Sequence, residues 1–393
     1  MKLAIIVIIY AAITALALFI MKMVTGVSVN SKGKHPKAAG LILAALLLMC
    51  AFPLIGALVP DGPLCWFFQK WGNIFIGYLI YFYGTLLIVW IIWLVAGLMR
   101  KEKNKKGRLG WVLLILPLVL TIVINVSGFM TSHDVKVTNY EIPKEELNLK
   151  EPLRVVLVGD LHIGVNSTTG LYEDMVERIN EQDADLVLIA GDLVTSSFGA
   201  MRDPDKYAEI FRGIESKLGV YAVYGNHDVD EPLLGGFTYA GKENAVRNPK
   251  MDSWVEDCGW ILLRDEVIRI PELNNMVLIG RRDETRPGDG VEERAELASL
   301  TEGLTEEEGV LLLEHEPADL EEMGELGVDL SVSGHTHDGQ MFPGNIFCRI
   351  TAPQSYGLKE WGDARAVVTS GAGYYGPPIR VGTISEIVVI DLK

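Results

Sequence analysis

The 393-residue chain has little cysteine. Its four cysteines are Cys50, Cys65, Cys258 and Cys348, and no two of them have C-x-x-C spacing. This argues against a small disulfide scaffold and against a zinc knuckle built on paired thiolates. A bond between Cys258 and Cys348 stays open outside the cytoplasm, but two separate thiols are the default prediction.

Positive charge is scarce in the second part of the chain. Residues 151–393 contain 20 Lys and Arg against 45 Asp and Glu, a net charge of −25, whereas residues 1–150 contain 15 against 6. An acidic surface disfavours a long polyanion such as duplex DNA or RNA as a partner. The two parts are therefore expected to lie in different surroundings.

The first part has four long apolar runs that are nearly free of charge. Each run has about 20 residues, enough for a helix to cross about 30 Å of hydrocarbon. The runs are Leu3–Met21, Ala38–Val59, Ile74–Leu98 and Leu109–Met130. Lys2 before the first run also fits a signal peptide, but no small-x-small cleavage site follows, which favours an anchor. We predict four transmembrane helices.

The loops between these runs predict the orientation in the membrane. Four lysines follow the first run, and six Lys and Arg residues follow the third. The only charged residues in the loop after the second run are Asp61 and Lys70. Lys and Arg prefer the cytoplasmic side. We therefore expect a multi-pass cell-membrane protein with an anchor at residues 1–130, a linker at 131–152 and an extracytoplasmic domain at 153–393.

In the second part, apolar β-type runs alternate with helical patterns, which predicts an α/β layered domain. Ile379–Val381 and Glu386–Ile390 are expected among the strands of a second sheet. Five apolar runs stop at polar residues, and these stops contain five of the seven histidines. The stops are Asp160-Leu161-His162, Gly191-Asp192, Gly225-Asn226-His227-Asp228, His315 and Gly334-His335-Thr336-His337.

Each of these residues alone has an ordinary structural explanation. Asp192 fits a helix cap, Asn226 a turn and His315 a core histidine. Together they favour one site, because ligands in open α/β sheets collect beyond the carboxyl ends of strands. Carboxylate, amide oxygen and imidazole are ligands suited to manganese, iron or zinc.

The ordered set resembles the calcineurin-like metallophosphoesterase superfamily over most of residues 151–393. Within it, the segments around His335 and Arg380 resemble membrane-associated bacterial phosphoesterases and animal transmembrane proteins with such a domain. The resemblance implies a four-layer α/β/β/α sandwich with two divalent metal ions, manganese favoured. It also implies a ligand set: Asp160, His162 and His337 on the first ion, Asn226, His315 and His335 on the second, and Asp192 on both.

The resemblance further implies hydrolysis by a metal-activated hydroxide that attacks phosphorus. His227 resembles the family's non-ligand histidine that protonates or stabilises the leaving group, and Asp228 is expected to orient it. Arg281, Arg282 and Arg380 are candidate phosphate contacts, although arginines in ordinary ion pairs are commoner.

We therefore predict a membrane-anchored phosphoester hydrolase. A lipid or cell-envelope phosphoester is the expected substrate, because the anchor keeps the site near membrane lipids. The ligands do not separate a phosphomonoesterase from a phosphodiesterase. The alternative is a non-catalytic metal-binding sensor or receptor. A lost ligand would indicate it, and none is lost.

Overall fold

The structure is a computed structural model that describes residues 12, 14, 15, 19, 36–60, 62–99, 108–238, 246–273 and 276–393. Within these ranges the chain divides into two compact units. The first contains the apolar helices together with residues 233–238 and Gly376–Pro378. The second contains Met130–Pro232, residues 246–375 and Ile379–Lys393.

Three apolar helices form most of the first unit: α1 (Pro36–Gly56), α2 (Pro63–Met99) and α3 (Arg108–Ser132). By length and composition, two segments could cross a membrane, Pro63–Val95 in α2 and Ile115–Ser132 in α3. Large side chains on them, such as Ile92 and Val123, are more than half exposed. The structure thus gives two candidate spans, while the predicted run Leu3–Met21 lies almost entirely outside the described residues.

A short hairpin completes the first unit with its strands β5 (Leu233–Leu234) and β6 (Phe237–Thr238). Its turn lies directly on α2. Gly236 has a φ of +85°, and a Cβ there would lie 2.8 Å from Cγ of the buried Asn73. Only glycine fits this close approach without a shift.

The second unit contains two six-stranded sheets. The first has the order β1-β14-β2-β3-β4-β7 and the second the order β12-β13-β11-β10-β9-β8. The strands of the first sheet are β1 (Val135–Ile142), β2 (Leu153–Val158), β3 (Leu186–Ala190), β4 (Val220–Val223), β7 (Ile261–Leu262) and β14 (Ser385–Leu392). Those of the second are β8 (Glu266–Arg269), β9 (Met276–Gly280), β10 (Gly309–Leu313), β11 (Leu330–Ser333), β12 (Gly357–Trp361) and β13 (Ala364–Val368).

Parallel pairing joins the central strands, and β3, β4, β10 and β11 are buried along their whole length. Strands buried on both faces read as continuous apolar runs, as β3 and β10 do. One apolar core contains residues of both sheets, such as Leu157 and Leu311, so the sheets face each other. Burying each such side chain contributes about 1.5–3 kcal/mol.

Helices cover the other face of the first sheet: α4 (Thr169–Asn180), α5 (Pro204–Phe211) and α6 (Lys250–Asp257). In α4 the apolar residues Leu171, Met175 and Ile179 recur at helical spacing and are buried. A separate core covers the second sheet and includes Leu297 of the short helix α7 (Leu297–Thr301). The last helix is α8 (Gly344–Thr351).

Three predictions about these elements were wrong. Val135–Ile142, in the predicted linker, is an edge strand paired in parallel with Ser385–Leu392. That C-terminal strand belongs to the first sheet, not the second. Ile379–Val381 is not a strand and makes only an isolated bridge, between Val381 and Met341. In β1 the two end residues, Val135 and Ile142, are buried and the six between them are exposed or half-buried, which suits a strand at the edge of a sheet.

Candidate metal centre

The predicted ligands follow the carboxyl ends of five strands, β2, β3, β4, β10 and β11. Backbone pairing continues past the ends of β2 and β3: the amide of Asp160 donates to Gly191 O at 3.0 Å, and that of His162 to Asp192 O at 2.9 Å. The residues after the two strands therefore stay side by side. This pairing brings Asp160, His162 and Asp192 into one buried place.

Four of the predicted ligands form one tight cluster. The ligand atoms of Asp160, His162, Asp192 and His337 all lie within 4.8 Å of one another, and all four residues are buried. Nε2 of His162 lies 3.0 Å from Nε2 of His337, which lies 3.4 Å from Oδ1 of Asp160. Two oxygen and two nitrogen donors in this arrangement suit a divalent transition metal.

The other three predicted ligands form a second group. Oδ1 of Asn226 lies 3.1 Å from Nε2 of His315 and 3.0 Å from Nδ1 of His335. The two imidazole nitrogens are 3.3 Å apart. The structure therefore brings together a second set of one oxygen and two nitrogen donors.

Asp192 contacts both groups. Its Oδ2 lies 3.4 Å from Nε2 of His162 and 3.2 Å from Nε2 of His315. Its Oδ1 accepts a hydrogen bond from the backbone N–H of His227 at 2.8 Å. One carboxylate oxygen is thus held by the backbone while the other faces both donor sets.

The chemistry of the donors fits cations. Nδ1 of His315 donates to Ala190 O at 2.8 Å, so Nε2 is the ring nitrogen that faces the oxygens of Asn226 and Asp192. Burial opposes protonation of this ring, but Asp192 raises the pKa of His315 well above its usual range, so Nε2 carries a proton unless a cation takes its place. Three acceptors that face one another repel unless a proton or a cation lies between them. Oδ2 of Asp160 is buried and has no hydrogen-bond partner among the described residues.

The titration of these groups also favours metal binding. Burial lowers the pKa of His162 to about 3. Burial and the nearby ring of His162 together hold the pKa of His337 well below its usual range. Both rings are neutral at neutral pH, the form that coordinates metals. Burial alone would raise the pKa of Asp192, yet His315 and His227 bring it well below its ordinary value. Asp192 is therefore an anion.

Most of the cluster adopts an unusual backbone conformation. The φ angles of Asp160, His162, Asp192, His335 and His337 are +54°, +48°, +53°, +74° and +52°. Left-handed φ is uncommon outside glycine, and it persists only where the surroundings impose it, often at functional sites. The fold therefore orients these five side chains at a cost in local backbone energy.

Two motif glycines leave room for the carboxylates. A Cβ at Gly225 would lie 2.3 Å from Oδ1 of Asp192, and a Cβ at Gly334 would lie 2.5 Å from Oδ2 of Asp160. Both distances are shorter than any real contact. Gly225 and Gly334 are required because the backbone passes against a ligand.

In the structure, the carboxylate that orients His227 is Glu231 and not the predicted Asp228. Nδ1 of His227 donates to Oε1 of Glu231 at 2.7 Å. The oxygens of Asp228 accept instead from the backbone amides of Val194 and Gly225. Asp228 therefore braces the loops around the site. Burial opposes protonation of His227, but Asp192 and Glu231 raise its pKa.

Sequence reasoning missed three residues beside His227. They are Glu231, Arg286 and Tyr375. Arg286 donates from Nη1 to Asn226 O at 2.9 Å and forms an ion pair with Glu231. The ring of Tyr375 stacks on that of His227, with 4.5 Å between the ring centroids. Arg286 lies 60 residues from Asn226, and no local pattern indicates this contact. Glu231, four residues after His227, was the one that spacing could have suggested.

The three candidate phosphate contacts have other partners. Nη1 of Arg281 lies 2.8 Å from Oδ2 of Asp319, and Nη1 of Arg282 lies 2.6 Å from Oδ2 of Asp289. Arg380 is buried and donates to backbone carbonyl oxygens. All three arginines therefore serve internal contacts. The thiols of Cys258 and Cys348 are both free, as the default prediction had it.

Comparison with known proteins finds a family that matches part of the chain. The model of the calcineurin-like phosphoesterase family matches residues 153–339. A zebrafish (Danio rerio) transmembrane protein with a metallophosphoesterase domain is 30% identical over 295 residues, which cover 71% of this chain and 62% of the relative. The chain thus spans less than two thirds of that relative.

Two bacterial relatives are similar over the same share of this chain. An uncharacterized metallophosphoesterase of Campylobacter jejuni is 28% identical and covers 71% of this chain and 68% of its own length. An uncharacterized metallophosphoesterase of Aquifex aeolicus is 26% identical, and the match covers 70% of this chain and 98% of the relative. These matches agree with the donor set described above. Residues 153–339 thus match the calcineurin-like phosphoesterase family, and the chain is similar to proteins named metallophosphoesterases.

Proposed function

We propose that this chain is a membrane-anchored phosphoester hydrolase that uses two divalent metal ions and acts outside the cytoplasm. The observation that carries the two-metal proposal is Asp192, whose Oδ2 lies within 3.4 Å of Nε2 atoms from both donor sets. Manganese is favoured over iron and zinc. The proposed ligands are Asp160, His162 and His337 for one ion, Asn226, His315 and His335 for the other, and Asp192 for both.

When bound, such ions activate water and neutralise negative charge on the phosphoryl group. The residues of the chain supply orientation and a proton. The backbone N–H of His227 fixes Asp192, and Glu231 fixes the ring of His227 through Nδ1. The other ring nitrogen, Nε2, is the atom that we propose transfers a proton to the leaving oxygen.

We propose a lipid or cell-envelope phosphoester as the substrate. Two helices could cross a membrane, and the phosphoesterase unit follows the second of them within three residues, from Ser132 to Val135. A site tethered so closely meets lipid-linked phosphates at high effective concentration. The net charge of −25 in residues 151–393 argues against nucleic acids.

The test is hydrolysis by the full chain in detergent, loaded with manganese, of p-nitrophenyl phosphate and bis-p-nitrophenyl phosphate. The full chain is needed because Val135–Ile142 forms part of the sheet. Turnover of either substrate that depends on metal supports the proposal, and the ratio of the two rates separates monoesterase from diesterase. A reporter fused after Lys393 should be active only outside the cell.

The alternative function is a non-catalytic metal-binding sensor or receptor. Against it stands the placement of all seven donor side chains in two adjoining sets, with His227 beside them. Two bound ions without turnover on manganese, iron or zinc would favour the sensor.

A further inference from the structure

The exposed apolar surface of the phosphoesterase unit is concentrated in one short segment. Among the described residues after Ser132, seven large hydrophobic side chains are exposed, and four of them lie between positions 342 and 350. They are Phe342, Ile346, Phe347 and Ile350, exposed by 49%, 50%, 70% and 77%. We call this set the α8 patch.

Helix α8 is inverted relative to an ordinary surface helix, which buries its apolar face. Here polar groups hold the helix to the domain. Asn345 is buried and donates from Nδ2 to Gly382 O at 3.2 Å, and Nε of Arg349 donates to Oδ1 of the buried Asp338 at 3.0 Å. The apolar side chains Ile346, Phe347 and Ile350 of the helix remain exposed.

The patch is rigidly attached to the metal centre. Asp338, which holds Arg349, directly follows the proposed ligand His337. The backbone of Gly344 at the start of α8 approaches Gly339 so closely that a Cβ on Gly339 would lie 2.4 Å from the carbonyl carbon of Gly344. Whatever α8 binds is therefore held near the turn that carries His337.

The charge of the segment complements a surface of lipid phosphates. Residues 339–358 contain a single charged residue, Arg349, although 65 of the 243 residues from 151 to 393 are charged and 45 of those are acidic. Lipid phosphates repel acidic side chains, and this stretch contains none. The segment can therefore approach a bilayer from which the acidic remainder of the domain is repelled.

The size of the patch also favours lipid over a second copy of the chain. A stable protein–protein interface uses about 20–30 residues from each side, and the α8 patch has four large apolar residues within nine positions. An amphipathic helix at a bilayer surface places its apolar side chains about 5–10 Å into the boundary between headgroups and acyl chains.

We propose that the α8 patch is a membrane-surface anchor that inserts Phe342, Ile346, Phe347 and Ile350 into the lipid headgroup region. This inference rests on the membrane anchoring proposed above and deepens it. The membrane-bound unit would hold its metal centre at the level of lipid phosphates, so its substrate class would be phosphoesters at a bilayer surface.

The test is photo-crosslinking of the full chain reconstituted into phosphatidylcholine bilayers. Phe347→p-benzoylphenylalanine reports on the patch, and Ile350→p-benzoylphenylalanine repeats the measurement on the next turn. Val291→p-benzoylphenylalanine is the matched control, because Val291 is exposed in the same unit but lies outside the patch. Both side chains in the patch are mostly exposed, so the variants should fold.

We expect several-fold more lipid adduct, identified by mass spectrometry, at positions 347 and 350 than at position 291. A cross-link to a second copy, a cross-link to another segment of the same chain, or lipid adduct no greater than at position 291 would overturn the inference. Resistance of the wild-type chain to carbonate extraction tests the anchoring helices separately. Extraction of the chain into the soluble fraction would refute the anchor instead.

Discussion

Nδ1 of His227 lies 2.7 Å from Oε1 of Glu231, four residues later in the chain. Glu231 is buried, and its second oxygen pairs with Arg286, which also holds the backbone carbonyl of Asn226. The ring of His227 is thus fixed by a carboxylate that is itself fixed. A carboxylate on one ring nitrogen sets the orientation of an imidazole and favours its charged form.

Glu231→Gln should lower turnover by about 10–100-fold, the range typical of a residue that orients a functional side chain. Gln keeps the shape but removes a negative charge that, together with that of Asp192, raises the pKa of His227. Metal content should stay at the wild-type level by elemental analysis. The matched control is Asp230→Asn, the neighbouring carboxylate, which should keep its rate; an equal loss in both variants would mean general damage to the loop.

His227→Ala should lower turnover by about 10²–10⁴-fold, the usual contribution of a general acid. The loss should be largest for an alkyl phosphoester, whose leaving oxygen needs a proton, and smallest for a p-nitrophenyl ester. Steady-state kinetics on the two esters, with metal content measured in parallel, checks this. Equal losses on both esters, or loss of both ions, would give His227 a structural role.

Asp192→Asn should reduce the occupancy of both metal ions together with activity. The substitution removes the negative charge of the one carboxylate that faces both donor sets. Asp205→Asn, on the exposed side of α5, is the control and should bind the wild-type amount of metal. Metal content of the two variants by elemental analysis is the measurement. Retention of two ions by the Asp192→Asn variant would contradict the shared position of this ligand.

The sequence predicted the strands that carry the site because those strands are buried on both faces. β3 and β10 are continuous apolar runs, β2 is apolar apart from Arg154, and every residue of β4 and β11 is buried; each of the five strands leads into polar residues at that edge. The same rule failed for β1, whose partly exposed pattern resembles a polar connection. Pairing between β1 and β14, about 250 residues apart, leaves no local signal.

The residues around His227 show the same limit. Asp228 is adjacent to His227 in the sequence, but its oxygens accept from the backbone amides of Val194 and Gly225. Glu231 and Tyr375 reach the ring from irregular segments, where neither helical nor strand periodicity predicts the direction of a side chain. Such contacts depend on how loops pack against one another, and the loop packing cannot be predicted from the residue types at single positions.

Removal of metal should lower the thermal stability of the phosphoesterase unit. Without ions, only protons offset the charge of the buried carboxylates in this site, such as the proton that Asp192 favours on His315. A ligand at about 100 times its dissociation constant stabilises a fold by about 2.7 kcal/mol. We expect a chelator to lower Tm by roughly 5–10 °C, at about 2–4 °C per kcal/mol for a domain of this size. Differential scanning calorimetry with manganese restored is the measurement, and an unchanged Tm would contradict a metal-dependent fold.

Arg380→Met should destabilise the phosphoesterase unit without acting through phosphate binding. Arg380 is buried, and its Nη2 donates to the carbonyl oxygens of Ser370, Gly371 and Gly373 at 2.7, 3.0 and 2.7 Å. Burial lowers its pKa to about 10, so the guanidinium remains charged at neutral pH. Methionine fills the space but leaves these acceptors without their donor.

The expected loss is about 3–5 kcal/mol of unfolding free energy, the cost of breaking a buried charged network. Denaturant unfolding of the full chain in detergent, followed by a probe in the phosphoesterase unit, measures it. Arg269→Met is the control, because Arg269 is 57% exposed and pairs with Glu308, so its loss should cost no more than about 1 kcal/mol. If the Arg380→Met variant unfolds like the wild-type chain but has a raised KM for a phosphoester, Arg380 contacts phosphate and the prediction is wrong.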